Sequence, residues 1–67
     1  MALKWIDTLD IAIELDETHP DVDPRYVNFV ELRQLVIDLD EFDDDPEHSG
    51  ERILEAIQLA WMEEKED

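Results

Sequence analysis

The chain has 67 residues, with 21 Asp and Glu residues against 5 Lys and Arg residues and a formal net charge of -16. A surface this acidic repels phosphate groups and anionic lipids, so binding to nucleic acid or to an anionic membrane is not expected. The sequence contains no cysteine, which excludes disulfides, thiolate metal sites and cysteine nucleophiles.

The length predicts a single domain over residues 1–67 that is too small to enclose a deep active site. A hydrophobic fraction of 43%, arranged periodically, favours a folded chain over a disordered one. No apolar stretch approaches the roughly 20 residues that span a bilayer, and acidic residues come too early for a secretory signal. We therefore expect a soluble, cytoplasmic monomer.

The first predicted element is an amphipathic helix from about Asp7 to Glu17, capped by Asp7 or Thr8. At 100° per residue its expected core face comprises Trp5, Ile6, Leu9, Ala12 and Ile13. Acidic residues occupy the opposite side at helical spacing: Asp7, Asp10, Glu14 and Glu17. Because like charges at this spacing weaken an isolated helix, packing of the apolar face has to hold it.

A proline-containing breaker segment over residues 18–24 separates this helix from the next one. Asp23 is predicted to cap a short helical turn that begins at Pro24. A second helix is predicted over Val30 to Leu39, and its core face comprises Phe29, Leu32, Leu35, Val36 and Leu39. Phe42 is expected to act as an apolar anchor after this helix.

The last helix is predicted from about Gly50 to Glu63, with Ser49 as its N-cap and frayed residues 63–67 beyond it. Its expected core face comprises Ile53, Leu54, Ala56, Ile57, Ala60 and Trp61. Strands are limited to two short segments around residues 27–29 and 46–48. The fold class is therefore mainly α, a small helical domain that is similar to helix-turn-helix bundles.

The most acidic segment spans residues 38–47, where seven of ten side chains are acidic. Clustered carboxylates suit hard divalent cations and, more weakly, ferrous iron. The candidate metal ligands are Asp38, Asp40, Glu41, Asp43, Asp44, Asp45 and Glu47. A calcium loop starting at Asp43 lacks the required glycine and final glutamate, so the predicted site is open, hydrated and weak. The alternative is a solvated loop with diffuse counterions.

A stand-alone enzyme is not expected, because the sequence has no glycine-rich phosphate loop, Walker lysine or nucleophile elbow. A protein contact is predicted on the last helix instead, where Leu59 and Met62 lie beside Glu51 and Glu55. An apolar spot rimmed by acids fits a groove rimmed by Lys and Arg. Ordinary surface exposure of these residues is the alternative.

Several motifs in one order resemble the IscX family, the small acidic accessory proteins of bacterial iron–sulfur cluster (Isc) assembly. The matching motifs are Lys4-Trp5, Pro20-Asp21-x-Asp23-Pro24, Val27-x-Phe29, Phe42-Asp43-Asp44-Asp45-Pro46 and Glu51-x-Ile53-Leu54-Glu55-Ala56-Ile57-x-x-Ala60-Trp61. The chain departs from the family pattern at Val30, Arg33 and Leu35, where members tend to carry threonine, histidine and tryptophan.

The resemblance implies a modified winged-helix fold and a non-catalytic regulator that binds the cysteine desulfurase IscS. It also implies weak binding of ferrous iron, with no tightly bound cofactor, and competition with bacterial frataxin for the desulfurase. The implied contact surface includes Asp43, Asp44, Asp45, Glu51 and Glu55. Two other functions stay open: an iron carrier or donor for cluster assembly, and an acidic DNA mimic that occupies the basic groove of another protein.

Overall fold

The computed structural model describes residues 2–66, which form three helices and two short 3₁₀ turns. The helices are α1 (Thr8–Thr18), α2 (Phe29–Ile37) and α3 (Glu51–Glu66), and the 3₁₀ turns are Pro24–Tyr26 and Pro46–His48. This arrangement confirms the mainly α class. The two segments to which the sequence limited any strands form no strand: residue 29 begins α2 and residues 46–48 form a 3₁₀ turn. The winged-helix detail is not confirmed.

Helix α1 forms within one residue of the predicted bounds, but it buries a different face. Its buried residues are Ile11, Ala12 and Leu15, whereas Ile6 is 80% and Leu9 58% exposed. The predicted core face was right for Trp5 and Ala12 and wrong for Ile6 and Leu9. Ile6 lies in a turn before the helix, outside its 100° repeat. The helix packs mainly against α3, and that contact selects the buried stripe.

The cap before the first 3₁₀ turn agrees with the sequence prediction, whereas the cap of α2 was not predicted. The Asp23 carboxylate accepts a hydrogen bond from the Arg25 backbone N–H at 3.0 Å, immediately before the turn that starts at Pro24. Asn28 caps α2 in the same way, since its Oδ1 accepts from the Glu31 N–H at 2.8 Å. The predicted core face of α2 is confirmed, with Leu32, Val36 and Leu39 buried and Phe29 and Leu35 packed against them.

Helix α3 extends further than predicted and begins one residue later. The expected fraying of residues 63–66 is wrong, since the helix continues to Glu66 and Lys65 Nζ donates to the Pro20 carbonyl and lies 3.5 Å from an Asp16 carboxylate oxygen. Residue 67 of that prediction lies outside the described residues. The backbone N–H of Leu54 donates to Gly50 O at 3.1 Å. Ser49 ends the preceding 3₁₀ turn, so its prediction as N-cap is wrong.

The N-terminal segment joins the acidic segment through a short backbone contact. Leu3 forms an isolated parallel bridge with Phe42, in which the Leu3 N–H donates to Glu41 O at 2.7 Å and the Asp43 N–H donates to Leu3 O at 2.9 Å. The Phe42 ring meets the Trp5 ring edge-on, with centroids 4.8 Å apart. Phe42 is therefore the anchor that the sequence predicts, and the acidic residues on either side of it are fixed in place.

Within residues 2–66, no helix is both long enough and apolar enough to cross a bilayer. The buried apolar residues form one cluster that joins the three helices to the N-terminal segment. Its largest fully buried side chains are Trp5 and Trp61. The charged side chains of the described residues lie outside this cluster. What the domain can bind therefore depends on where the acidic residues lie on its surface.

Candidate interaction surface

The acidic segment 38–47 divides at Phe42 into two parts with different surroundings. The first part turns back toward α1, so that Asp38, Asp40 and Glu41 line a groove of about 200 Å³ together with Glu14 of that helix. The acids of α1 and those that follow α2 therefore form one surface. The sequence alone left them as separate groups.

The second part of the segment, Asp43 to Glu47, lies beside three basic side chains: Lys4, Arg33 and His48. Lys4 Nζ donates to the Asp43 carbonyl and lies 3.9 Å from the Asp43 carboxylate. His48 Nε2 lies 3.6 Å from Asp45, and Arg33 Nη2 lies 4.0 Å from Glu47. Exposed pairs of this kind add little stability, but they reduce the local negative potential.

Asp44 has a structural role that the sequence analysis did not find. Its carboxylate accepts hydrogen bonds from the Trp5 N–H at 3.0 Å and from the Asp45 N–H at 2.7 Å. These bonds, the Trp5 one first, lower the pKa of the Asp44 carboxyl below its usual value of 3.8. The Trp5 indole Nε1–H donates to Asp45 O at 2.7 Å. Trp5 and the loop are therefore connected by hydrogen bonds in both directions. A buried indole N–H usually needs an acceptor, and this requirement is the one feature of the sequence that could have indicated the contact.

Arg33 is the second residue whose role the sequence did not indicate. Its Nε donates to Ser49 Oγ at 3.2 Å, and its Nη2 donates to the Pro46 carbonyl at 2.8 Å. The guanidinium therefore ties the 3₁₀ turn to α2 at the position where this chain departs from the family pattern. A planar group with several donors suits this double contact better than a lysine.

The predicted contact residues of α3 lie on the surface. Glu51 and Glu55 are exposed, and Leu59 is 59% exposed. Met62 is half-buried and lines a cleft with Pro20, Pro24 and other residues of segment 20–25. We define the α3 patch as the four predicted residues, which share one side of the helix at i, i+4, i+8 and i+11: Glu51, Glu55, Leu59 and Met62.

The α3 patch continues toward the acidic loop on one side. Glu51 and Glu47 line a common groove of about 340 Å³, which also includes the exposed Val30 and the side chain of Arg33. Asp43, Asp44 and Asp45 do not line this groove and connect to it only through the turn Pro46–His48. Glu47 therefore adjoins the α3 patch directly through this groove. The three consecutive aspartates are connected to the patch less directly.

Metal binding by the seven candidate carboxylates stays a prediction. Oxygen donors of this type fit hard cations, but the described residues contain no group of three or more His, Asp or Glu side chains placed to hold a metal ion. The Asp44 carboxylate is already used by two backbone N–H groups. The described residues therefore show no preformed cage for a metal ion.

Comparison with known proteins gives matches along almost the whole chain. A family profile described as iron-sulphur cluster assembly matches residues 3–66. An uncharacterised protein of Pseudomonas aeruginosa is 65% identical over 66 residues, which cover 98% of this chain and 100% of the relative. Both matches include the N-terminal segment, the acidic loop and α3.

Proposed function

The chain belongs to the iron–sulphur cluster assembly family, the IscX family, and we propose on that premise that it is a non-catalytic, cytoplasmic regulator that docks on the cysteine desulfurase IscS. The docking surface comprises the α3 patch, Glu47 and the outward-facing acids of the loop. Its partner surface is a patch rimmed by Lys and Arg. The resemblance of the sequence to the IscX family supplies the identity of this partner.

The observation that carries the proposal is the exposed Leu59 on a helix side that also presents Glu51 and Glu55. An apolar centre with acids beside it matches the usual anatomy of a protein interface. The net charge of -16 favours a basic partner, because complementary charge speeds encounter and fixes orientation. Arg52 is the nearest cation along α3, and no ion pair within residues 2–66 involves it.

The three aspartates have unequal parts in this proposal. Asp43 and Asp45 are exposed, and we assign them to the docking surface. Asp44 holds the loop against Trp5, so we assign it an indirect part through the position of its neighbours. Replacing all three at once would therefore mix loss of charge with loss of loop structure.

The test measures binding of purified IscS to the full chain and to two charge-matched double variants. We expect Glu51→Lys/Glu55→Lys to weaken binding at least about tenfold, which corresponds to about 1.4 kcal/mol. The control Asp10→Lys/Glu17→Lys makes the same change of net charge on α1 and should retain most of the affinity. Leu59→Ser should weaken binding without a change in the salt dependence. Equal losses for the two double variants would refute a docking surface on α3.

Weak ferrous iron binding and competition with frataxin belong to the same proposal. Titration of the labelled chain with ferrous ion should broaden the NMR signals of residues 38–47 selectively, whereas uniform small effects would mean only diffuse counterions. Increasing amounts of bacterial frataxin should displace this chain from IscS. Simultaneous binding of both proteins at saturating concentration would contradict competition.

A further inference from the structure

Two residues that the sequence assigned to the core, Ile6 and Leu9, lie on the surface and have no part in the proposed docking on α3. Ile6, in the turn before α1, is 80% exposed and Leu9 is 58% exposed, and the half-buried Ile13 follows Leu9 at i+4 on the helix. From Leu9 to Ile13 the stripe runs about 6 Å along α1, or roughly one helical turn, and Ile6 precedes it in the turn. Ile13 and Leu3 continue it into a groove of about 340 Å³.

Within the described residues, four acids around this stripe lie without a paired cation, as Glu51 and Glu55 of the α3 patch also do. Asp10 and Glu14 line the groove next to Ile13, and Asp38 and Asp40 line the adjoining groove, which shares Glu14. Within residues 2–66, no Lys, Arg or His side chain forms an ion pair with any of these four carboxylates. The loop acids Asp43 to Glu47 differ, because Lys4, His48 and Arg33 lie beside three of them.

We propose that this face, defined by Ile6, Leu9, Ile13 and the four acids Asp10, Glu14, Asp38 and Asp40, binds a cationic amphipathic helix of a partner protein. The apolar side of that helix covers Ile6 and Leu9 and inserts one side chain into the groove beside Leu3 and Ile13. Its Lys and Arg residues lie against the four carboxylates. In binding of this kind an amphipathic helix lays its apolar face on an apolar groove, and the anchors on that helix recur at i, i+3, i+4 and i+7.

The negative charge of this face favours a basic helix over the other ligands that an apolar surface could bind. A second copy of the chain would place the same acids opposite themselves, because a two-fold interface pairs identical surfaces. Nucleic acid and anionic lipid are repelled by the same carboxylates. A basic helix satisfies both the apolar stripe and its acidic border.

This face is separate from the α3 patch and shares no residue with it. Loss of desulfurase binding on α3 would leave the inference intact, and failure of the inference would leave the proposed function intact. With both surfaces occupied, the chain would hold two basic partners at once, as an adaptor does.

The test uses a synthetic amphipathic peptide of leucine and lysine, about 14 residues or four helical turns long. Fluorescence anisotropy of the labelled peptide measures its affinity for the full chain. Ile6→Ser/Leu9→Ser should weaken binding roughly tenfold, because two apolar anchors are lost. The control Tyr26→Ser/Val30→Ser removes two comparably exposed apolar side chains elsewhere and should leave the affinity within about twofold.

A scrambled peptide of the same composition distinguishes docking from charge attraction alone. It should bind at least about tenfold more weakly than the amphipathic peptide to the unmodified chain. Asp10→Lys/Glu14→Lys should weaken binding of the amphipathic peptide more than the charge-matched Glu51→Lys/Glu55→Lys does. Equal binding of the two peptides, or equal losses in the two charge variants, would overturn the proposal.

NMR of the unmodified chain provides a readout that does not depend on the folding of any variant. Addition of the amphipathic peptide should shift signals of residues 6–14 and 38–41 selectively, and shifts confined to α3 would overturn the proposal. Sedimentation of the free chain should show a monomer. A dimer that Ile6→Ser/Leu9→Ser disrupts would make a second copy the occupant and would also overturn it.

Discussion

Trp5 offers the sharpest test of how the acidic loop is held. The side chain is 1% exposed, its indole N–H donates to Asp45 O at 2.7 Å, and its ring lies edge-on to Phe42. Replacing it by phenylalanine keeps an aromatic ring at the site but removes the donor and part of the buried volume. Trp5→Phe should therefore destabilise the fold and release the loop that carries Asp44 and Asp45.

The expected loss follows from two contributions. The hydrogen bond contributes about 1 kcal/mol, and the unfilled space left by the smaller ring costs roughly 1–2 kcal/mol. The sum of about 2–3 kcal/mol is large for a domain of this length, whose total stability is about 3–10 kcal/mol. At about 4–8 °C per kcal/mol, the melting temperature should fall by roughly 10–20 °C.

Urea unfolding followed by tryptophan fluorescence measures this loss, because Trp61 is fully buried and remains as a probe in the variant. Val30→Ala is the matched control, since Val30 is exposed and its truncation should change the stability by less than about 0.5 kcal/mol. Hydrogen exchange should show faster exchange of the Asp45 amide in Trp5→Phe. A loss below about 0.5 kcal/mol, with unchanged exchange at residue 45, would refute the reasoning.

Two further predictions concern single side chains. The lowered pKa of Asp44 means that its ionised carboxylate stabilises the fold above its usual pKa of 3.8 and that this contribution is lost as the pH falls through the lower folded-state pKa. In pH-dependent thermal melts, Asp44→Ala should be less stable than Asp43→Ala at pH about 7, and the difference should narrow as the pH falls below 3.8; a constant difference would contradict this. Gln58 Nε2 donates to two backbone carbonyls of segment 24–27, at 2.8 and 3.2 Å. Gln58→Ala should cost about 1–2 kcal/mol in urea unfolding, and an unchanged midpoint would show that water replaces both bonds.

The sequence predicted the buried residues of α2 and α3 well, although Val30 on α2 and Leu59 on α3 are apolar and exposed. In α2 the buried Leu32 and Val36 lie on one side with Phe29 and Leu35, and Leu39 joins the same core just after the helix ends. In α3 the same holds for Leu54, Ile57 and Trp61. The turn at Pro24 was equally predictable, since an aspartate before a proline both caps the turn and fixes its first dihedral angle.

Helix α1 could not be oriented from the sequence because apolar residues surround most of its circumference. Leu9, Ile11, Ala12, Ile13 and Leu15 allow more than one buried stripe. The packing of α1 on α3 selects Ile11, Ala12 and Leu15, and the turn before the helix removes Ile6 from its periodicity. The apolar residues that this packing leaves exposed form the surface that we propose binds a basic helix of a partner protein.

The sequence by itself determined the acidity, the helical class, the family and the list of carboxylates. Only the tertiary structure decided which of those carboxylates act together, because the acids of α1 and those after α2 meet across a groove although they are far apart in the chain. It also decided that Asp44 faces the Trp5 backbone, since a hydrogen bond across 39 residues leaves no periodic signal. Charge is a property of composition, whereas its arrangement follows from how the helices pack.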